Sequence, residues 1–168
     1  MPHVGIIMGS DSDLDIMSKA AETLKELGID NEVKVVSAHR TPDEMADYGK
    51  TAKERGIKVI IAGAGGSAHL PGMTAAFTTL PVIAVPIVRD HHTDAAIKSS
   101  NAMPPGVPLA VMPANGAVNA ALLAVAILAL SDETIAEKLT EYRANMHDSV
   151  VETAEKLENV GWEEYLAQ

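Results

Sequence analysis

The sequence predicts an α/β fold: a three-layer sandwich on a five-stranded parallel sheet, flavodoxin-like or Rossmann-like. Three observations carry this. Short apolar runs alternate with amphipathic helical stretches, the pattern of βαβ units. The runs are apolar almost throughout, as strands buried on both faces of a parallel sheet must be. The length, 168 residues, suits one domain over 1–168.

The elements follow in order. "HVGIIMG" (3–9) reads as a buried strand. "LDIMSKAAETLKELG" (14–28) is a helix, with Leu14, Met17, Ala21, Leu24 and Leu27 at helical spacing and Gly28 as its stop. "EVKVVS" (32–37) is the second strand. The next helix has Thr41 as N-cap, Pro42 at its first position, Glu44 completing a capping box and Gly56 at its end. "KVIIAG" (58–63) is the third strand, and a short helix starts near Pro71. "PVIAVPI" (81–87) is the fourth strand, and a short helix fits 94–100. "VPLAVM" (107–112) is the fifth strand. The apolar stretch 116–130 then forms a helix of about fifteen residues, short of the roughly twenty a membrane span needs. A long helix covers 132–159.

Two features predict association between copies. The 116–130 helix is apolar on nearly every face, more than one sheet surface covers. The last helix carries Ile135, Leu139, Tyr142, Met146, Val150, Ala154 and Leu157 along one stripe. It spans about 40 Å, so its far end packs on a neighbouring subunit.

Composition removes several function classes. The net charge is −10, which disfavours nucleic acid and anionic membrane surfaces. The chain has no cysteine, so disulfides, thiolate nucleophiles and Cys-based metal sites are excluded. No basic leader or cleavage site precedes the first strand, and a cytoplasmic location is expected.

Ligands of open parallel sheets bind beyond the carboxyl ends of the strands, which directs attention to three loops. "GSDSD" (9–13) offers the hydroxyls of Ser10 and Ser12 and a helix N-terminus, a cradle for phosphate or ribose. The stretch "SDLD" (12–15) is also a plain capping box. Asp13 beside such a cradle suits ribose hydroxyls. A lone Gly9 does not make the dinucleotide fingerprint. "SAHRTP" (37–42) sets His39, a neutral-pH proton carrier, beside Arg40, a bidentate phosphate fork, at the end of a strand expected to be central. "GAGGSAHLPG" (63–72) has Gly63, Gly65 and Gly66, which permit positive φ and close backbone approach. His69 projects near His39 if their two strands are neighbours. No carboxylate stands at metal-site spacing and H-x-x-x-H is absent, so no metal is expected. His91 and His92, with Asp90 and Asp94, read as a solvated loop, with metal contact left open.

With these residues in view, the chain closely resembles the N5-carboxyaminoimidazole ribonucleotide mutase family of purine biosynthesis. The matching blocks are "VGIIMGSDSD", "VVSAHRTPD", "VIIAGAGGSAHLPGM", "LPVIAVP", "MPPGVPLAV" and "NAALLA", covering most of 4–130. The resemblance implies a flavodoxin-like three-layer sandwich, a homo-octamer and no cofactor. It implies a ribonucleotide substrate whose carboxylate moves from nitrogen to ring carbon four through trapped carbon dioxide. His39 matches the family's proton-shuttling histidine. Ser10, Asp13 and Arg40 match its ribose and phosphate binders. Ser12, Ser37, Ala38, Gly65, Gly66, Ser67, His69 and Leu70 line the base and carbon dioxide pocket, with His69 polarising or orienting the carboxylate. The chain departs from the family over 84–104, where Ala84 replaces a glycine and Ala102 a glutamine; Pro113 is a further departure. These departures keep two other readings in view: a direct carboxylase or a paralogue acting on another ribonucleotide, and a nucleotide-binding module without catalysis.

Overall fold

The computed structural model describes residues 3–89 and 93–167. Five strands, β1 (Val4–Met8), β2 (Asn31–Val35), β3 (Val59–Gly65), β4 (Val82–Ile87) and β5 (Ala110–Val111), form one sheet in the order β2-β1-β3-β4-β5. Every pairing is parallel. This is the flavodoxin-like order, which reverses direction between β1 and β3 and opens a crevice there.

Side chains alternate across the strands, so one sheet serves two cores. One face holds Ile6, Met8, Val59, Ile61 and Val85 against α1 (Leu14–Glu26), α5 (Ala117–Ala129) and the start of α6 (Glu133–Val160). The other holds Ile7, Ile60, Ala62 and Val82 against α2 (Pro42–Thr51), α3 (Leu70–Phe77) and Ala96 of α4 (Thr93–Asn101). A final short helix, α7 (Trp162–Leu166), follows Gly161, whose φ of 80° ends α6; the sequence reading has no counterpart for it.

Several expectations need correction. β2 is an edge strand, not a central one, with Val33 42% and Val35 55% exposed. Its Glu32 and Lys34 are the charges an open edge carries, and Glu32 is paired with Arg55 at 2.6 Å. β5 keeps two residues of the six expected, because it pairs only with Ile83 and Ala84. Thr41 does not cap α2 through its side chain. Its hydroxyl instead accepts from the Ser37 N–H at 2.9 Å, closing the loop before the helix. The apolar α5 is covered on one side within the chain by α1, α6 and the sheet, burying Ala117, Ala120, Ala121, Ala124, Val125 and Leu128, while Val118 stays exposed.

α6 divides in two. Ile135 is buried, and Leu139 and Tyr142 pack on the core. From 143 to 159 every residue is exposed, including Met146 at 54% and Val150 at 69%. The helix therefore continues past its own domain with an apolar stripe uncovered.

Candidate active site

The three loops meet above the carboxyl end of the sheet around a cavity of about 420 Å³, within the range of small-ligand sites. The first wall is the turn after β1. The Ser10 hydroxyl oxygen accepts from the Ser12 N–H at 3.3 Å, and its O–H donates to Asp11 Oδ1 at 3.1 Å. Ser10, not Ser12, thus caps the 3-10 turn Asp11–Asp13. Asp13 precedes α1 without a side-chain cap bond and lines the cavity.

Burial pushes the Asp13 carboxyl above its usual range. The neighbouring Asp15 adds to the rise, while Arg89, a hydrogen bond with Ser12 and Arg40 oppose it. The folded chain therefore holds the Asp13 proton to higher pH than the unfolded chain does. Ionised Asp13 costs stability as pH climbs from the ordinary carboxylate range through the raised folded-state value. Asp13→Asn is expected to raise the melting temperature at pH 7 by about 1–3 °C while weakening ribonucleotide binding. Thermal unfolding and a binding isotherm on the same variant check both, and a lowered melting temperature refutes the electrostatic account.

The second wall follows β2. Ser37 is buried, and its Oγ accepts from the Arg40 backbone N–H at 3.2 Å and from Arg40 Nε at 3.4 Å. Arg40 Nη2 donates to the Gly9 carbonyl at 2.5 Å. The guanidinium is thereby laid from the second loop to the first. Rigid anchoring of this kind lowers the entropy lost when a planar fork takes an anion.

The third wall follows β3. Of the three glycines expected to use positive φ, Gly66 does so, at 60°. Gly63 and Gly65 are extended within β3. Gly63 is needed for another reason: a Cβ there would run into the buried Met17 side chain of α1. The Ala68 N–H donates to Ser99 Oγ of α4 at 2.9 Å, tying this loop to the far side of the site.

The histidines meet. His39 Nε2 and His69 Nδ1 are 2.9 Å apart, with ring centroids 5.0 Å apart and planes at 81°. The sequence reading makes this contact conditional on neighbouring strands. β1 lies between β2 and β3, so their loops instead reach over the end of β1. In a neutral pair one ring nitrogen donates and the other accepts, which links the two tautomers. Such a pair can hold and release a proton facing a bound molecule.

Ser10, Ser12, Asp13, Ser37, Ala38, His39, Arg40, Gly65, Ser67, His69 and Leu70 all line the cavity. Gly66 sets the turn without lining it. Gly9 and Ala64 line it in addition; both are loop or strand-end residues with backbone faces, which residue chemistry alone does not flag. Among the described residues no three His, Asp or Glu side chains converge on one point. The second candidate pair, His91 and His92 with Asp90, lies outside the described residues. Among the described residues no helix is long and apolar enough to cross a membrane.

Known proteins resemble this chain over nearly its whole length. A family model described as AIR carboxylase matches residues 3–149. A Thermotoga maritima protein named N5-carboxyaminoimidazole ribonucleotide mutase is 54% identical, over 100% of this chain and 99% of its own. A Bacillus subtilis protein of the same name is 55% identical, over 93% of this chain and 98% of its own. The crystal structure of Treponema denticola PurE matches with a TM-score of 0.85 at 34% identity, covering 94% of this chain and 99% of that one.

Proposed function

This chain belongs to the AIR carboxylase family, and on that premise we propose that it is an N5-carboxyaminoimidazole ribonucleotide mutase. It moves the carboxylate of its substrate from the exocyclic nitrogen to ring carbon four. The observation that carries the mechanism is the His39–His69 pair, set in the same cavity as Arg40 and the Ser10–Asp13 turn. One end of the cavity suits an anionic ribose phosphate and the other a proton transfer.

The proton count fits one imidazole. Loss of carbon dioxide from nitrogen leaves that nitrogen needing a proton. Attack of ring carbon four on the carbon dioxide leaves that carbon with a proton to lose. His39 supplies the first and accepts the second, and ends the cycle as it began. The reaction is redox-neutral, so these steps call on no oxidant or reductant. His69 holds His39 in place and, with the Gly65–Ser67 backbone, faces the small carboxylate. Arg40 and Ser10 take the phosphate, and Asp13 a ribose hydroxyl. Ser12, Ser37, Ala38 and Leu70 line the base. Keeping carbon dioxide against the ring between the two steps is a problem of enclosure and orientation.

The proposal includes assembly of copies into the homo-octamer the family resemblance implies, and a cytoplasmic location. The exposed stripe of α6 supports association. The chain acts as one domain, with α6 reaching a neighbour.

The experiment is a spectrophotometric assay with N5-carboxyaminoimidazole ribonucleotide at low bicarbonate, beside aminoimidazole ribonucleotide plus bicarbonate. Conversion of the first is the expected result. Conversion of the second alone would reassign the chain as a direct carboxylase.

A further inference from the structure

Arg89 stands just after β4. Its guanidinium donates to both carboxylate oxygens of Asp15, one of them at 3.1 Å, and to the backbone carbonyl of Ser12. Asp15 belongs to the first turn of α1, and Ser12 to the turn that lines the cavity. One planar fork thus fastens the loop after β4 to the candidate phosphate turn at Ser12 and to the first turn of α1 at Asp15, some seventy residues earlier in the chain.

The root of Arg89 is fixed from behind. The Asn115 side chain accepts from the Val88 N–H at 2.8 Å and donates to the Val88 carbonyl at 2.9 Å. This pair of bonds repeats, with a side chain, the exchange a neighbouring strand would make, at a point beyond the end of β5. Asn115 adopts a φ of 57°, in the left-handed region that asparagine enters more readily than most residues. Its own N–H donates to the Pro86 carbonyl at 2.9 Å. The bracket sets where the chain leaves the sheet, and hence where the guanidinium arrives.

An isolated exposed ion pair would be worth little. Here the fork spans a carboxylate and a main-chain carbonyl, and it does so from a backbone that is itself held. We propose that Arg89 is a positioning residue for substrate phosphate: it holds the Ser10–Asp13 turn in its binding form and places a second positive charge behind that turn. The inference rests on the reading of this turn as the phosphate cradle.

The test is steady-state kinetics on the full-length enzyme and on Arg89→Met, Arg89→Lys and Asp15→Asn. Arg89→Met is expected to raise KM about five- to tenfold, with kcat within about twofold. Arg89→Lys should fall between it and the parent, since the charge remains and the fork is lost. The double variant Arg89→Met/Asp15→Asn should be no worse than Arg89→Met alone, because both changes open one clamp. The acid limb of kcat/KM should also move to higher pH in Arg89→Met. Asp13 then loses one neighbouring cation while Asp15 and Arg40 still face it. An unchanged KM in Arg89→Met, or a fall in kcat at constant KM, overturns the inference. A parent enzyme that does not turn over refutes the functional reading instead. In that case thermal-shift titration with inorganic phosphate still decides the role of Arg89: weaker protection in Arg89→Met supports it, and equal protection overturns it.

Discussion

His39→Asn is expected to bind the ribonucleotide and to turn it over about a thousandfold more slowly. General acid–base catalysis by a positioned side chain contributes about 10²–10⁴ in rate, and here one imidazole serves two proton transfers. Asparagine is close in size and can keep a hydrogen bond to His69, but it cannot carry a proton. The phosphate contacts proposed for Arg40 and the Ser10–Asp13 turn are untouched, so the dissociation constant should change by no more than a few-fold. Single-turnover rates and calorimetric binding on the same preparation separate the two quantities. A variant with a rate within tenfold of the parent would remove His39 from the chemistry. Lost binding with a normal rate at saturation would make it a substrate contact instead.

The second large effect is expected in the assembly. Met146→Glu/Val150→Glu should convert the associated protein into smaller species while leaving the α/β core folded. Both side chains lie on the stretch of α6, from 143 to 159, in which every residue is exposed. That stretch is about 25 Å of helix. Most helical stability in proteins comes from tertiary packing of an apolar face, and in the proposed assembly another copy would supply it here. Burying a large aliphatic side chain contributes about 1.5–3 kcal/mol, and an unpaired carboxylate in the same place reverses the sign. Sedimentation velocity should show the lower mass, and far-ultraviolet circular dichroism a partial loss of helix. An unchanged mass would mean that α6 makes no interface between copies.

Much of the fold was legible because its signals are local. The apolar runs at 3–9, 58–63 and 81–87 became β1, β3 and β4, and the 3.6-residue spacing of 14–28 became α1. Gly28 and Gly56 mark their turns with φ of 67° and 88°. Each of these signals is contained in fifteen residues or fewer. β2 misled because five residues cannot show whether a strand has one neighbour or two. Thr41 misled because a hydroxyl before a proline fits a helix cap and a loop closure equally well, and the Ser37 backbone was nearer.

The site divides in the same way. Sequence by itself determined the chemistry present: imidazoles in two loops, an arginine beside one of them, and hydroxyls ahead of a helix. Tertiary structure alone decided which of these touch. The His39–His69 contact spans thirty residues and exists because the order β2-β1-β3 brings two loops together over the end of β1. The Arg89–Asp15 clamp spans seventy-four residues and depends on where Asn115 pins the chain after β4. Strand order is settled by how two hydrophobic faces are covered at once, a property of the whole chain that no local pattern contains.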